Sequence, residues 1–233
     1  MPTPQKTRQR IVGVHELIRA DVLRGRWMPG EKLQPITLSE HYKTSTTVIR
    51  EALTRLAGEK FVTVEPNRGF FVPTLSLAEL RDLTEVRCRI EGLGLELAID
   101  RGDLVWESGL IAAHHQLSRT PRRGKNDPQH VAEAWTEAHR AFHAKLIEAC
   151  AVPVILEVSR QLADSTELYR QWAAPSAAAG ERDVEAEHRA ILDATLAHDA
   201  RLASELLTRH YTTTLDIVLH SGLVDGVEGS DPA

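Results

Sequence analysis

The sequence predicts a mainly α-helical protein in two parts. A small N-terminal helical module closed by a β-hairpin is followed by a larger all-α domain. Three observations predict this. Apolar residues recur at helical spacing along most of the chain, while short β-type runs are confined to residues 61–72. Pro73-Thr74 punctuates the boundary. Charge divides there too: residues 1–75 carry a formal +5 and residues 76–233 carry −10, for a total of −5. A basic module joined to an acidic one is a different object from a uniformly acidic chain. The expected parts are residues 1–75, residues 76–222 and a loose tail at 223–233.

Composition narrows the class. An apolar fraction of 42% in 233 residues supports a packed core. No apolar run approaches the ~18 residues of a membrane span. Met1 to Arg10 is polar and basic with no apolar region after it, so no secretory signal is expected. Cys88 and Cys150 are too far apart for a metal knuckle and too few for a disulfide framework. A cytoplasmic protein with no membrane partner follows as the expectation.

In the first module, Val14, Leu17, Ile18 and Val22 give Arg10 to Arg24 an amphipathic helical face, which Gly25 and Pro29-Gly30 stop. Thr37-Leu-Ser-Glu40 has capping-box spacing for a short second helix ending near Lys43. A third helix starts at Thr44 or Ser45 and buries Val48, Ile49, Ala52, Leu53 and Leu56, with Gly58 as the expected cap. Phe61–Val64 and Phe70–Val72 form two strands around the turn Glu65-Pro-Asn-Arg-Gly69.

Helix, short helix, turn, helix and hairpin is the layout of a winged helix-turn-helix, in which the recognition helix enters the DNA major groove N-terminus first. Ser45, Thr46 and Thr47 place hydroxyls and backbone N–H groups where phosphate oxygens are bound, and Arg50 can fork onto a guanine edge or a phosphate. Arg68 and Gly69 at the hairpin tip can reach the backbone or minor groove. Pro29-Gly-Glu-Lys-Leu33, Leu38-Ser-Glu-His-Tyr42, Ser45 through Leu53 and Arg68-Gly-Phe-Phe-Val72 resemble the DNA-binding domain of GntR-family transcriptional regulators. Three positions depart from the family pattern. Thr46 stands where Arg is usual, Val48 where Pro is common, and Pro35 near a frequent Glu. The operator sequence is therefore left open, while the binding mode is not.

In the second module, Ser76-Leu-Ala-Glu79 is a capping box opening a helix to about Asp100, with an expected stripe of Leu80, Leu83, Ile90, Leu93 and Leu97. Arg87 falls on that stripe. A buried guanidinium needs an anion: either Glu91 on its own helix, or the carboxylate of a ligand held by a bidentate fork. Further helices are expected near 103–118, 129–150, 153–173, 181–197 and 199–221, broken most clearly at Gly124–Pro128 and Ala174–Gly180.

Four histidines fall on buried stripes: His139 and His143 four apart on one helix, His188 between Val184 and Ile191, and His210 between Leu206 and Ile217. Each alone reads as a satisfied core residue. Together they also read as a metal site, because a His-x3-His pair places two imidazoles on one face of a helix. Neutral imidazoles suit divalent zinc, nickel, iron or copper.

Residues 78–222 resemble the FCD ligand-binding domain of the FadR-like GntR subgroup. The matching stretches are Glu85 to Glu91, Phe142-His143 ahead of Glu148–Pro153, Glu187 to Leu192, and His210 following Asp199-Ala200. The resemblance implies a six- or seven-helix bundle holding a divalent metal through one Asp and three His, mapped to His143, His188 and His210. His139 occupies the place of the Asp. Either it is a fourth ligand in a softer site favouring zinc or nickel, or it only lines the pocket. The resemblance also implies Arg87 as the grip for a small organic acid effector, a homodimer on an inverted-repeat DNA operator, and repression relieved by effector. Two alternatives stand beside this reading. One is a sensor for which the ion itself is the effector. The other is a metallohydrolase, disfavoured because Arg140 follows His139 where such enzymes place a Glu general base. No nucleophile elbow or phosphate-binding loop is present, so the expectation is a regulator and not an enzyme.

Overall fold

The computed structural model describes residues 4–74, 76–124 and 127–221. The chain divides into two compact units, Met1–Leu75 and Ser76–Ala233. The expected tail at 223–233 lies outside the described residues.

The first unit contains α1 (Pro4–Leu23), α2 (Pro35–His41), α3 (Thr46–Gly58), β1 (Thr63–Glu65) and β2 (Gly69–Phe71). Ile18, Val22, Leu38, Ile49, Leu53, Leu56 and Phe61 pack its core, each almost fully buried. Leu17, expected on the inner face of α1, is 54% exposed. Helix α2 starts at Pro35 rather than Thr37. The fixed φ of Pro suits the first helical position, and no side chain caps the start. Ser45 caps α3 by accepting the Val48 N–H at 3.3 Å. Gly58 is the last helical residue of α3 and not its cap; the left-handed residue beyond it is Lys60, at φ 66°. Strands β1 and β2 pair antiparallel from Thr63–Phe71 to Glu65–Gly69. The tip between them turns through Asn67 and Gly69, both at positive φ. Lys32 bridges Phe71, so the segment before α2 lies along the wing.

The second unit contains α4 (Leu77–Arg101), α5 (Leu104–Arg119), β3 (Arg123–Gly124), β4 (Asp127–Val131), α6 (Glu133–Glu148), α7 (Pro153–Ala173), α8 (Ala177–Glu181), α9 (Val184–Leu196) and α10 (Ala200–Leu219). Helix α4 packs against α10, α7 and α6, and α5 packs against α6 and α9. Ser76 caps α4 by accepting the Glu79 N–H at 3.1 Å, as its capping-box sequence predicts. The buried face of α4 differs from the expected stripe. It runs Leu80, Thr84, Arg87, Glu91, Leu95 and Ala98, while Leu93 is 47% exposed. The bundle is not wholly helical: β3 and β4 form a small antiparallel hairpin where a break followed by a helix start at 129 was expected. Pro128 within β4 cannot donate a ladder bond, which hides a strand this short from pattern reading.

Candidate functional site

On the first unit, Ser45, Thr46, Thr47 and Arg50 are all exposed around the first turn of α3. Val48 and Ile49, immediately behind them, are buried, so packing holds this face outward. Arg68 at the wing tip is exposed. It pairs with Glu65 and lies 5.3 Å from the Phe71 ring centroid. These are the features of a helix and wing that can meet DNA phosphates and base edges.

In the second unit, α6, α9 and α10 bring His139, His143, His188 and His210 together, all buried, with one nitrogen from each within 4.8 Å of the others. Nε2 of His143 and Nε2 of His188 are 3.3 Å apart. Two nitrogens that close could both reach a single ion at ligand distances near 2.0–2.1 Å. Burial first, and then the neighbouring Arg170 and fellow imidazoles, hold His139 well below the ordinary histidine pKa. His143 and His188 are lowered in the same way, burial again leading. His210 is lowered to about 4 by burial, against the pull of Glu187. All four are neutral at pH 7, the state that offers a lone pair. The donor set therefore fits a divalent transition metal, and the four residues could hold one.

Two of the imidazoles are braced from behind. His210 Nδ1 is 2.7 Å from Glu187, which is clamped by Arg182 at 2.5 and 2.7 Å. His143 Nδ1 is 3.0 Å from the Tyr211 hydroxyl, which also donates to Glu91. Such outer contacts fix ring orientation and leave the opposite nitrogen facing the cluster. His139 stacks on Trp135, with centroids 4.7 Å apart.

Arg87 is buried as expected. Its Nε donates to Glu91 at 2.7 Å, Nη1 donates to Thr166 at 3.0 Å, and the guanidinium lies 4.1 Å from the Tyr211 ring centroid. The carboxylate on its own helix thus supplies the anion. Arg87 also borders two cavities. One of about 50 Å³ includes Arg122, Trp135, His139, Arg182 and His210 in its wall. The other, of about 350 Å³, includes Glu91, His139, Arg140, His143 and Glu167. His139 borders both. Sequence reasoning missed Arg122, Arg170, Arg182, Glu187 and Tyr211 as parts of this site. Glu187 and Tyr211 each adjoin a cluster histidine in sequence, which was the available signal. The arginines carried none.

A winged helix-turn-helix unit joined to a helical bundle is the architecture of a DNA-binding regulator. The comparisons agree. Residues 11–72 match the family described as bacterial regulatory proteins, gntR family, and residues 82–213 match the FCD domain. The chain belongs to the GntR family of transcriptional regulators, in the FadR-like subgroup that carries an FCD domain. It is 33% identical to the HTH-type transcriptional regulator BphR of Paraburkholderia xenovorans over 96% of this chain and 91% of that protein. It is 31% identical to the HTH-type transcriptional repressor GlaR of Escherichia coli over 86% of this chain and 92% of that protein. Among solved structures, E. coli McbR/YncC matches the fold with a TM-score of 0.68 at 20% identity, over 90% of this chain and 97% of that one. The relatives are transcriptional regulators, not enzymes. No helix among the described residues is long and apolar enough to cross a membrane.

Proposed function

We propose that the protein is a repressor whose affinity for an operator is set by a small carboxylate bound beside the histidine cluster. Residues 1–75 would read DNA through Ser45, Thr46, Thr47, Arg50, Arg68 and Gly69, and residues 76–222 would sense the effector. The observation that carries this reading is a cluster of four buried imidazoles, two of which, His139 and His210, stand in the wall of a cavity that four arginines also border. His139, His143, His188 and His210 would hold a zinc or nickel ion. Such an ion supplies a Lewis-acidic anchor for one carboxylate oxygen. Arg87, on the wall of both cavities, would orient the acid. Its loosest bond, 3.4 Å from Nη2 to the Tyr211 hydroxyl, is the one a carboxylate would displace.

A homodimer on an inverted repeat is part of the proposal, since two heads must span successive major-groove half-sites. The exposure of Val86 and Leu93, two helical turns apart on α4, supports an apolar contact with a second copy. The test uses a DNA site selected by the protein from a random pool. Metal-loaded protein should bind it as a dimer and release it with a small carboxylate. Release by the ion alone, with no carboxylate effect, would replace this reading with a metal sensor.

A further inference from the structure

We propose that Arg122 is an anion anchor, and that the cavity beside the histidines takes a small dicarboxylate whose remote carboxylate this guanidinium grips. The proposal rests on the carboxylate-effector reading above and adds the class of acid and the residue that selects it.

Four arginines border the smaller cavity, and three of them carry their own counterion. Arg87 pairs with Glu91 at 2.7 Å, Arg170 with Glu167, and Arg182 with Glu187 at 2.5 Å. Arg122, in the turn between α5 and β3, has no carboxylate partner among the described residues. Its Nη1 donates only to the Ala179 carbonyl, at 3.2 Å. Its Nε is buried without an acceptor, as is Nε of Arg170 on the same wall. Buried donors left unpaired are costly, so two of them on arginines that border one cavity mark an unmet demand for an acceptor there.

The neighbourhood adds to the demand for negative charge. Burial, with Arg123, Arg182 and Arg170 nearby, lowers the Arg122 pKa to about 10, against a weaker pull from Glu187, which is itself paired with Arg182. The guanidinium is held 5.5 Å from the Trp135 ring centroid, and Trp135 stacks on His139. One indole therefore adjoins both a guanidinium without an ion pair and the histidine cluster. With a divalent ion on neutral imidazoles, the cavity has two electropositive places, which suits an acid with two carboxylates. A volume of about 50 Å³ has room for a few waters, and so for a short acid rather than an aromatic or fatty one.

The test is calorimetric titration of full-length, zinc-loaded protein with malonate, succinate and acetate, for the wild type, R122Q and R122K. The wild type is expected to bind malonate or succinate about tenfold or more tighter than acetate, in line with a charged bidentate hydrogen bond. R122Q should lose that preference while keeping its zinc content and its acetate affinity. R122K keeps the charge but not the fork, and should retain part of the preference. It also serves if the Gln variant fails to fold. An undiminished dicarboxylate preference in either folded variant overturns the proposal and leaves the effector reading standing. Failure of the wild type to bind any of the three acids overturns both.

Discussion

Glu187 Oε2 lies 2.7 Å from His210 Nδ1, so the residue preceding one cluster histidine braces another on the next helix. Arg182 Nη2 approaches the same nitrogen at 3.1 Å, but a guanidinium can only donate. The two contacts are compatible when Nδ1 carries the proton and gives it to Glu187, and Arg182 donates to the His210 carbonyl at 2.8 Å. Nε2 is then the free lone pair. Glu187→Gln should weaken zinc binding about 10- to 100-fold, as loss of outer-shell partners generally does. Competition with a chromophoric chelator measures it. Unchanged zinc affinity would remove Glu187 from the site.

Tyr211 ties the cluster to the arginine wall, because its hydroxyl meets both His143 and Glu91. Tyr211→Phe keeps the ring and removes the hydroxyl that three buried polar atoms share, on His143, Glu91 and Arg87. A loss of roughly 1–3 kcal/mol in denaturant unfolding of the metal-free protein is expected. A change within a few tenths of a kcal/mol would mean that water replaces the hydroxyl.

Acid should weaken the metal-free protein through these histidines. Their folded pKa values lie below the unfolded value near 6.5, so the unfolded chain binds protons first as pH falls. The stabilisation is complete above pH 6.5 and is lost progressively toward the His210 value of about 4. Melting temperature recorded across that window is the check. A flat profile contradicts the burial of four neutral imidazoles. His188→Ala should reduce the slope.

Arg50→Ala is expected to weaken operator binding about 5- to 100-fold, the range for loss of a bidentate base contact. Arg68→Ala should be milder, because its guanidinium is already shared with Glu65. If either arginine touches phosphate instead, its variant should lower the salt-dependence slope by about 0.9. Wild-type affinity in both variants would move the DNA face elsewhere.

The reading head was legible in the sequence because local rules decide it. Ser45 caps α3 as its chemistry predicts, and all five apolar residues named on α3 are buried. The cluster was legible for a similar reason: a buried histidine at helical spacing points in one of few directions. What the sequence hid depends on contacts distant along the chain. The inner face of α4 carries Thr84 and Glu91 beside the Arg87 that periodicity already placed inward, and such polar residues read as solvent-facing until their buried partners are known. Leu93 faces outward although its neighbours Gly92 and Gly94 are buried. Arg122 sits beside a hairpin, where an arginine ordinarily faces water.

The four imidazoles come from three helices, of which α6 lies far along the chain from the consecutive α9 and α10, and both cysteines are free. An ion held there would act as a reversible crosslink, closing the long loops from α6 to α9 and from α6 to α10 that no covalent bridge closes. Chelation would then open the bundle to faster unfolding, and metal supply would govern how long each copy of the protein persists.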